Sequence, residues 1–166
     1  MKMDVLKVLR SNDSSKIIDT LYRLGSGRGG ALTTEVVEAL GRLVDHNEPE
    51  VREEVAAAAG IRLRLPELYP MFLRRLQGVE KVPSVLASLI DGATALSLHG
   101  EGNRTELSTV LGRYVLDSRQ DDDVRGTAYL ALLKLWDKIT PAEYAIAPRA
   151  LSEMSWDREF VKSFAH

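Results

Sequence analysis

The sequence predicts an all-α protein, built as a stack of about four to five antiparallel helix pairs. Three observations predict it. Almost every apolar run follows the i, i+3, i+4, i+7 spacing of one helix face. No stretch alternates with period two for long enough to make a strand. The breaks between runs are short and carry helix start and stop signals.

Ten helices follow in order, near 2–10, 14–25, 34–45, 48–63, 66–77, 81–98, 104–117, 121–137, 141–151 and 156–164. Ile17, Ile18, Leu21 and Leu24 make the second helix amphipathic, and Val36, Val37, Leu40, Leu43 and Val44 the third. Asn47-Glu48-Pro49-Glu50 offers a cap and an early proline for the fourth, whose apolar face is Val51, Val55, Ala58 and Ala59. Val82 to Leu98 is the most apolar stretch. Pro83, Ser88 and Asp91 interrupt it, so it reads as a buried helix and falls short of a membrane span. Asn103 with Glu106 has capping-box spacing, and Ser118 with Asp121 is a looser version. Leu107, Val110, Leu111, Tyr114 and Val115 follow the first, and Val124, Ala128, Ala131, Leu132 and Leu135 the second. Thr140-Pro141-Ala142-Glu143 combines a cap, a proline at the first helical position and a glutamate at the third. Ser155 is placed to cap a last helix opening at Trp156. Gly25, Gly78 and Gly100 each follow an apolar run as stops.

The 166 residues fit one domain, 1–166, large enough to bury a core unaided. A formal net charge of −2 argues against nucleic acid, because a protein that tracks phosphates carries a clear basic excess. With no cysteine there are no disulfides or thiolate metal sites, which fits a cytoplasmic protein. The opening residues are too few and too charged for a secretory signal.

Four segments open the second helices of successive pairs. Ile17-Ile18-Asp19-Thr20-Leu21, Val51-Arg52-Glu53-Glu54-Val55, Val85-Leu86-Ala87-Ser88-Leu89 and Val124-Arg125-Gly126-Thr127-Ala128 start 34, 34 and 39 residues apart. The longer interval takes in the loop His99 to Asn103, where insertion costs little. Leu43-Val44-Asp45 followed by Asn47-Glu48-Pro49-Glu50-Val51-Arg52 and the alanine run to Gly60 resembles the HEAT repeat. Val115-Leu116-Asp117 with Asp123-Val124-Arg125 resembles it again, while the segments at Val85 and Ile17 lack the arginine. The resemblance implies a right-handed α-solenoid, with the Asp and Arg of these turns forming ladders between units. It therefore implies a structural role for Asp45, Arg52, Asp117 and Arg125. Small side chains in the alanine run let neighbouring helices approach closely, and stacking buries the faces that single pairs expose.

Candidate chemistry is sparse. Gly25-Ser26-Gly27-Arg28-Gly29-Gly30 lacks the Lys-Ser/Thr of a phosphate loop and reads as a loop between units. Asp121-Asp122-Asp123 departs from the calcium-loop pattern at Arg125 and Leu132, and fits the positive end of a helix dipole. His46, His99 and His166 are not spaced as metal ligands, and no serine lies in a G-x-S-x-G elbow. Arg62, Arg64, Arg74, Arg75 and Lys81 are interspersed with Glu53, Glu54, Glu67 and Glu80, so they read as a mixed solvated face. Trp136 reads as core, and Trp156 as a cap on the end of the stack.

The sequence thus points to a non-catalytic module that binds another protein, with no cofactor, no metal and no membrane. An immunity protein or an adaptor subunit fits, the alternatives being a nucleic-acid-binding relative or a subunit of a HEAT-like lyase. The expected contact surface is the solvent-facing row of the second helices: Asp19, Thr20, Arg23, Glu53, Glu54, Ser88, Asp91 and Thr127.

Overall fold

The computed structural model describes residues 4–100 and 102–166. Among these residues all regular structure is helical, and no helix is long and apolar enough to cross a membrane. The first helix, α1, runs Val5–Leu9 behind the Asp4 cap; the expected positions 2 and 3 lie outside the described residues. Helices α2 (Ser14–Gly25), α3 (Thr34–Leu43), α6 (Pro83–Leu98), α7 (Arg104–Leu116) and α8 (Asp122–Leu135) fall close to their expected places.

The remaining helices differ in instructive ways. The fourth begins as α4 (Pro49–Val55) and widens into a π-helical stretch, Ala56–Arg62. The loosened turn lies where two helices nearly touch. A Cβ on Gly60 would stand 2.6 Å from the Cα of Gly92 in α6 and 2.9 Å from the Phe72 ring. The small-residue run therefore does serve close approach. The fifth is a 3-10 turn, Pro66–Leu68, then α5 (Tyr69–Arg74), then a π turn, Arg75–Val79, within which Gly78 leaves the helical region with φ 116°. A backbone in that region suits glycine, so the expected stop is real.

Three expected boundaries need correction. The helix expected at 141–151 stops early, as α9 (Pro141–Ile146). Pro148 is the reason: proline forces the preceding residue out of the helical region, and Ala147 has ψ 140°. A 3-10 turn, Leu151–Glu153, follows. The last helix, α10 (Arg158–Lys162), is capped by Asp157, which accepts from the Phe160 N–H, and not by Ser155. Asp121, and not Ser118, caps α8 by accepting from Asp123 and Val124 N–H. The Thr140–Glu143 capping box forms in full.

Helices α2, α4, α6 and α8 make a row in which each touches the next. On the other side α1 touches α3, α3 touches the turn leading into α5, and α10 packs on α7. One apolar cluster joins them from Leu9 to Val161. Trp156 is half-buried and meets Tyr129 edge-on at 6.3 Å, closing on this cluster. Trp136 departs from expectation. It follows Leu135, the last buried residue of α8, and remains 38% exposed, stacked on Phe164 at 5.3 Å.

Candidate partner-binding surface

Two kinds of charge cluster lie on or beside the row of second helices. The first is buried and structural. Glu80, whose side chain is 1% exposed, accepts two bonds from Arg52 at 2.8 and 3.0 Å and two from Arg75 at 2.7 and 3.1 Å. It also accepts the N–H groups of Lys81 and Val82. Burial alone would raise this carboxyl; the donors outweigh it and hold it down to about 2. Arg75 continues to Asp45 at 2.6 Å, and Arg74 reaches the other oxygen of Asp45 at the same distance. Asp45 and Arg52 are thus linked to the next unit, through Glu80 and the arginine pair. Asp117 and Arg125 are not. Asp117 pairs with Arg119, while Arg125 donates to the carbonyl of Val115 and lies 3.9 Å from Asp122. The basic residues of this region are largely spoken for: Arg62 pairs with Glu54, Arg74 with Asp45, and Arg75 is buried.

The second cluster is the expected contact row. Asp19 and Arg23 are exposed on α2 and pair at 3.7 Å. Glu53 and Glu54 are half-buried on α4. Glu54 accepts from Arg62, whose guanidinium sits 5.6 Å from the Tyr22 ring centroid. Tyr22 is 58% exposed, so an aromatic surface stands beside the Glu54–Arg62 pair. Ser88 and Asp91 are half-buried on α6.

Two of the expected residues do not face solvent. Thr20 is fully buried because it shares the inward stripe Ile17, Thr20, Leu21, Leu24. Thr127 is 3% exposed because α8 is covered where α2 is open. The segment after α9 lies across α8 so closely that a Cβ on Gly126 would collide with the Arg149 carbonyl. Ser152 donates to Asp122, and the Asp157 N–H donates to the Tyr129 hydroxyl.

That covering segment brings in residues the sequence did not single out. The Tyr144 hydroxyl donates to Asp91 at 2.5 Å. Burial first, and then the Asp91 charge, push this hydroxyl up to about 12, so it stays a donor at neutral pH. The Lys134 ammonium and the Arg149 guanidinium lie 4.4 and 4.7 Å from the Tyr144 ring centroid, both within cation–π range. Asp91 and Tyr144 are 53 positions apart, and no local pattern announces such a pairing. Pro148 was the one available signal that the helix must end and the chain turn back.

Among the described residues no three or more His, Cys, Asp or Glu side chains are arranged to hold a metal. His46 is engaged locally, its Nδ1 accepting from the Glu48 N–H, and His99 is exposed in its loop. No family model, curated protein or solved structure matches the chain.

Proposed function

We propose that this protein is a non-catalytic protein-binding module, a short right-handed solenoid of the HEAT kind that receives its partner on the second-helix row. The observation that carries the reading is the face shared by α2 and α4. There Tyr22 of α2 stands exposed against Arg62 of the Glu54–Arg62 pair, and the Asp19–Arg23 pair lies on the same helix as Tyr22. Large side chains within a rim of charge are the composition of a binding hot spot. Mixed-sign charge at the rim sets orientation and association rate. An immunity protein or an adaptor subunit, in a cytoplasmic setting, fits such a module.

The test begins with cross-linking and mass spectrometry in the native source to identify the partner. Tyr22→Ala, Arg23→Glu and Glu54→Lys are then compared with the parent. Each variant should keep its melting temperature within a few degrees, since exposed changes seldom matter to stability. Tyr22→Ala should weaken binding by about 2 kcal/mol, and at least one charge reversal by about 1 kcal/mol. Unchanged affinity in all three would remove this face from consideration.

A further inference from the structure

The row of second helices is covered at its α8 end. Through residues 139–150 no side chain is buried, whereas Leu135 before them is fully buried and Leu151 after them nearly so. This cover begins beyond Lys138, whose ammonium lies 5.0 Å from the Phe160 ring centroid, and contains α9. The Thr140–Glu143 capping box lies wholly inside it, so α9 keeps its cap wherever the cover stands. Ile146, 85% exposed, adds nothing to the core.

Among the described residues, the hydrogen bonds and ring contacts between the cover's side chains and the helices beneath all pass through Tyr144. Its hydroxyl donates to Asp91 of α6, and its ring meets Lys134 of α8. Arg149 lies on the same ring from within the cover. A segment with no buried side chain and one such tie opens at a free energy below that of global unfolding. What it covers belongs to the contact row. Gly126 stands where α2 carries the exposed Asp19 and α4 carries Glu53, and the Arg149 carbonyl lies over it. Thr127 lines the space beside Arg149 at 3% exposure.

We propose that residues 139–150 are a detachable cover over the α8 end of the contact surface, latched by the Tyr144–Asp91 bond and displaced when the partner protein binds. The inference rests on the protein-binding reading and adds how that surface is gated. Opening frees Asp91 for the partner and uncovers α8, so the row lengthens by one helix. The open form is the minor one, and its scarcity lowers the affinity the partner shows. Weakening the latch therefore tightens binding.

The chain has no cysteine, so a single introduced thiol reports opening without background. Thr127→Cys places one on α8 beneath the cover. Thr94→Cys, in a separate protein, places one inside α6, where Thr94 is 2% exposed and its hydroxyl has no partner to lose among the described residues. Both are reacted with Ellman's reagent in native buffer and at low urea concentrations. The Thr94→Cys thiol waits for global unfolding, so its rate should climb steeply with urea. The Thr127→Cys thiol should react about 100-fold faster, with little dependence on urea, because a local opening exposes little surface. Adding Tyr144→Phe should speed the Thr127→Cys reaction by about tenfold, the worth of a hydrogen bond to a charged group. Equal urea dependence at the two sites, or a Thr127→Cys rate that Tyr144→Phe leaves unchanged, overturns the proposal. Once the native partner is known, Tyr144→Phe in the cysteine-free chain should bind it about threefold more tightly or better. If Tyr22→Ala loses the partner while Tyr144→Phe binds it no more tightly than the parent, the gate is wrong and the protein-binding reading stands. If neither variant changes the affinity, both are wrong.

Discussion

The turns that begin at Asp45 and Asp117 carry the same pattern, an aspartate followed by a Val-Arg pair, and the structure uses them differently. Arg52 is buried, gripping Glu80 with two bonds and the carbonyls of His46 and Asn47 with two more. Arg125, half-buried, closes on its own unit through the Val115 carbonyl. The arginines are equivalent in sequence, so the difference comes from the next unit along the chain. The helix pair after Arg52, α5 with α6, supplies Arg75 and Glu80 from the turn that joins its two helices. After Arg125 the regular row ends, and α9 and the turn at Leu151 lie across α8 in place of another pair. The shared Asp and Val-Arg pattern fixes where a side chain starts; the neighbouring helices decide what it does.

The largest effect should come from Glu80→Gln. Buried Arg52 would lose its counter-charge and buried Arg75 would keep only Asp45, and breaking a buried ion cluster from one side costs about 3–5 kcal/mol. For a chain of this length each kcal/mol lowers the melting temperature by roughly 2–4 °C. A fall on the order of 10 °C in a thermal melt is expected. A change under 2 °C would mean that the cluster does not join the units.

The same carboxyl gives the comparison a pH axis. Its folded value is depressed to about 2 from an ordinary 4.5. Its contribution is therefore fully present above about pH 4.5 and is lost as pH falls towards 2. Asp45, held low first by its bond to Arg74 and then by Arg75, works in the same direction. The stability gap between parent and Glu80→Gln should be constant from pH 7 to 5 and narrow between 4.5 and 2. Urea titrations across that range measure it, and a gap that stays constant would place the carboxyl outside the cluster's energetics.

The helical character, the order of the elements and most of their starts were legible because spacing and capping are local. Leu40, Leu111 and Leu132 lie inside as the periodicity required. What was not legible depended on contacts between distant positions. Glu80 read as one acid among neighbouring arginines, since its bond to Arg52 spans 28 positions. Thr20 and Thr127 were placed by analogy with α4, although each helix turns a slightly different face to its neighbours. Of the expected contact row, Asp19, Arg23, Glu53, Glu54, Ser88 and Asp91 do reach the surface to some degree. The covering of α8 by α9 and Arg149 was beyond reach, because polar and cation–π contacts between segments leave no periodic trace.

A direct contrast of the two arginines sharpens the comparison further. Arg52→Gln should cost about 2–3 kcal/mol, because several charged hydrogen bonds go at once and Glu80 retains Arg75. Arg125→Gln should cost about 1 kcal/mol, the loss of a single bond to a backbone carbonyl. Denaturant melts of the two variants side by side give the ratio. Equal losses would break the distinction between a joining and a closing arginine.

The smallest effect belongs to a pair whose geometry alone looks strong. Arg119 meets both oxygens of Asp117, at 2.9 and 3.1 Å, a bidentate geometry within 0.1 Å of that of Arg52 on Glu80. Yet the Arg119 side chain is 88% exposed. Water already solvates both ions, salt screens them, and ordering a long side chain offsets what attraction remains. Each partner also shifts the other in the expected direction: the Arg119 bond lowers the Asp117 carboxyl, and the Asp117 bond raises Arg119. Those shifts record proximity at an open surface and carry little of the fold's stability. Arg119→Gln should leave the melting temperature unchanged within error, in low salt and at 0.5 M salt alike. A clear loss at low salt that vanishes at high salt would show the exposed pair to be stabilising after all. Burial would then no longer be what separates the Asp117 turn from the Glu80 cluster.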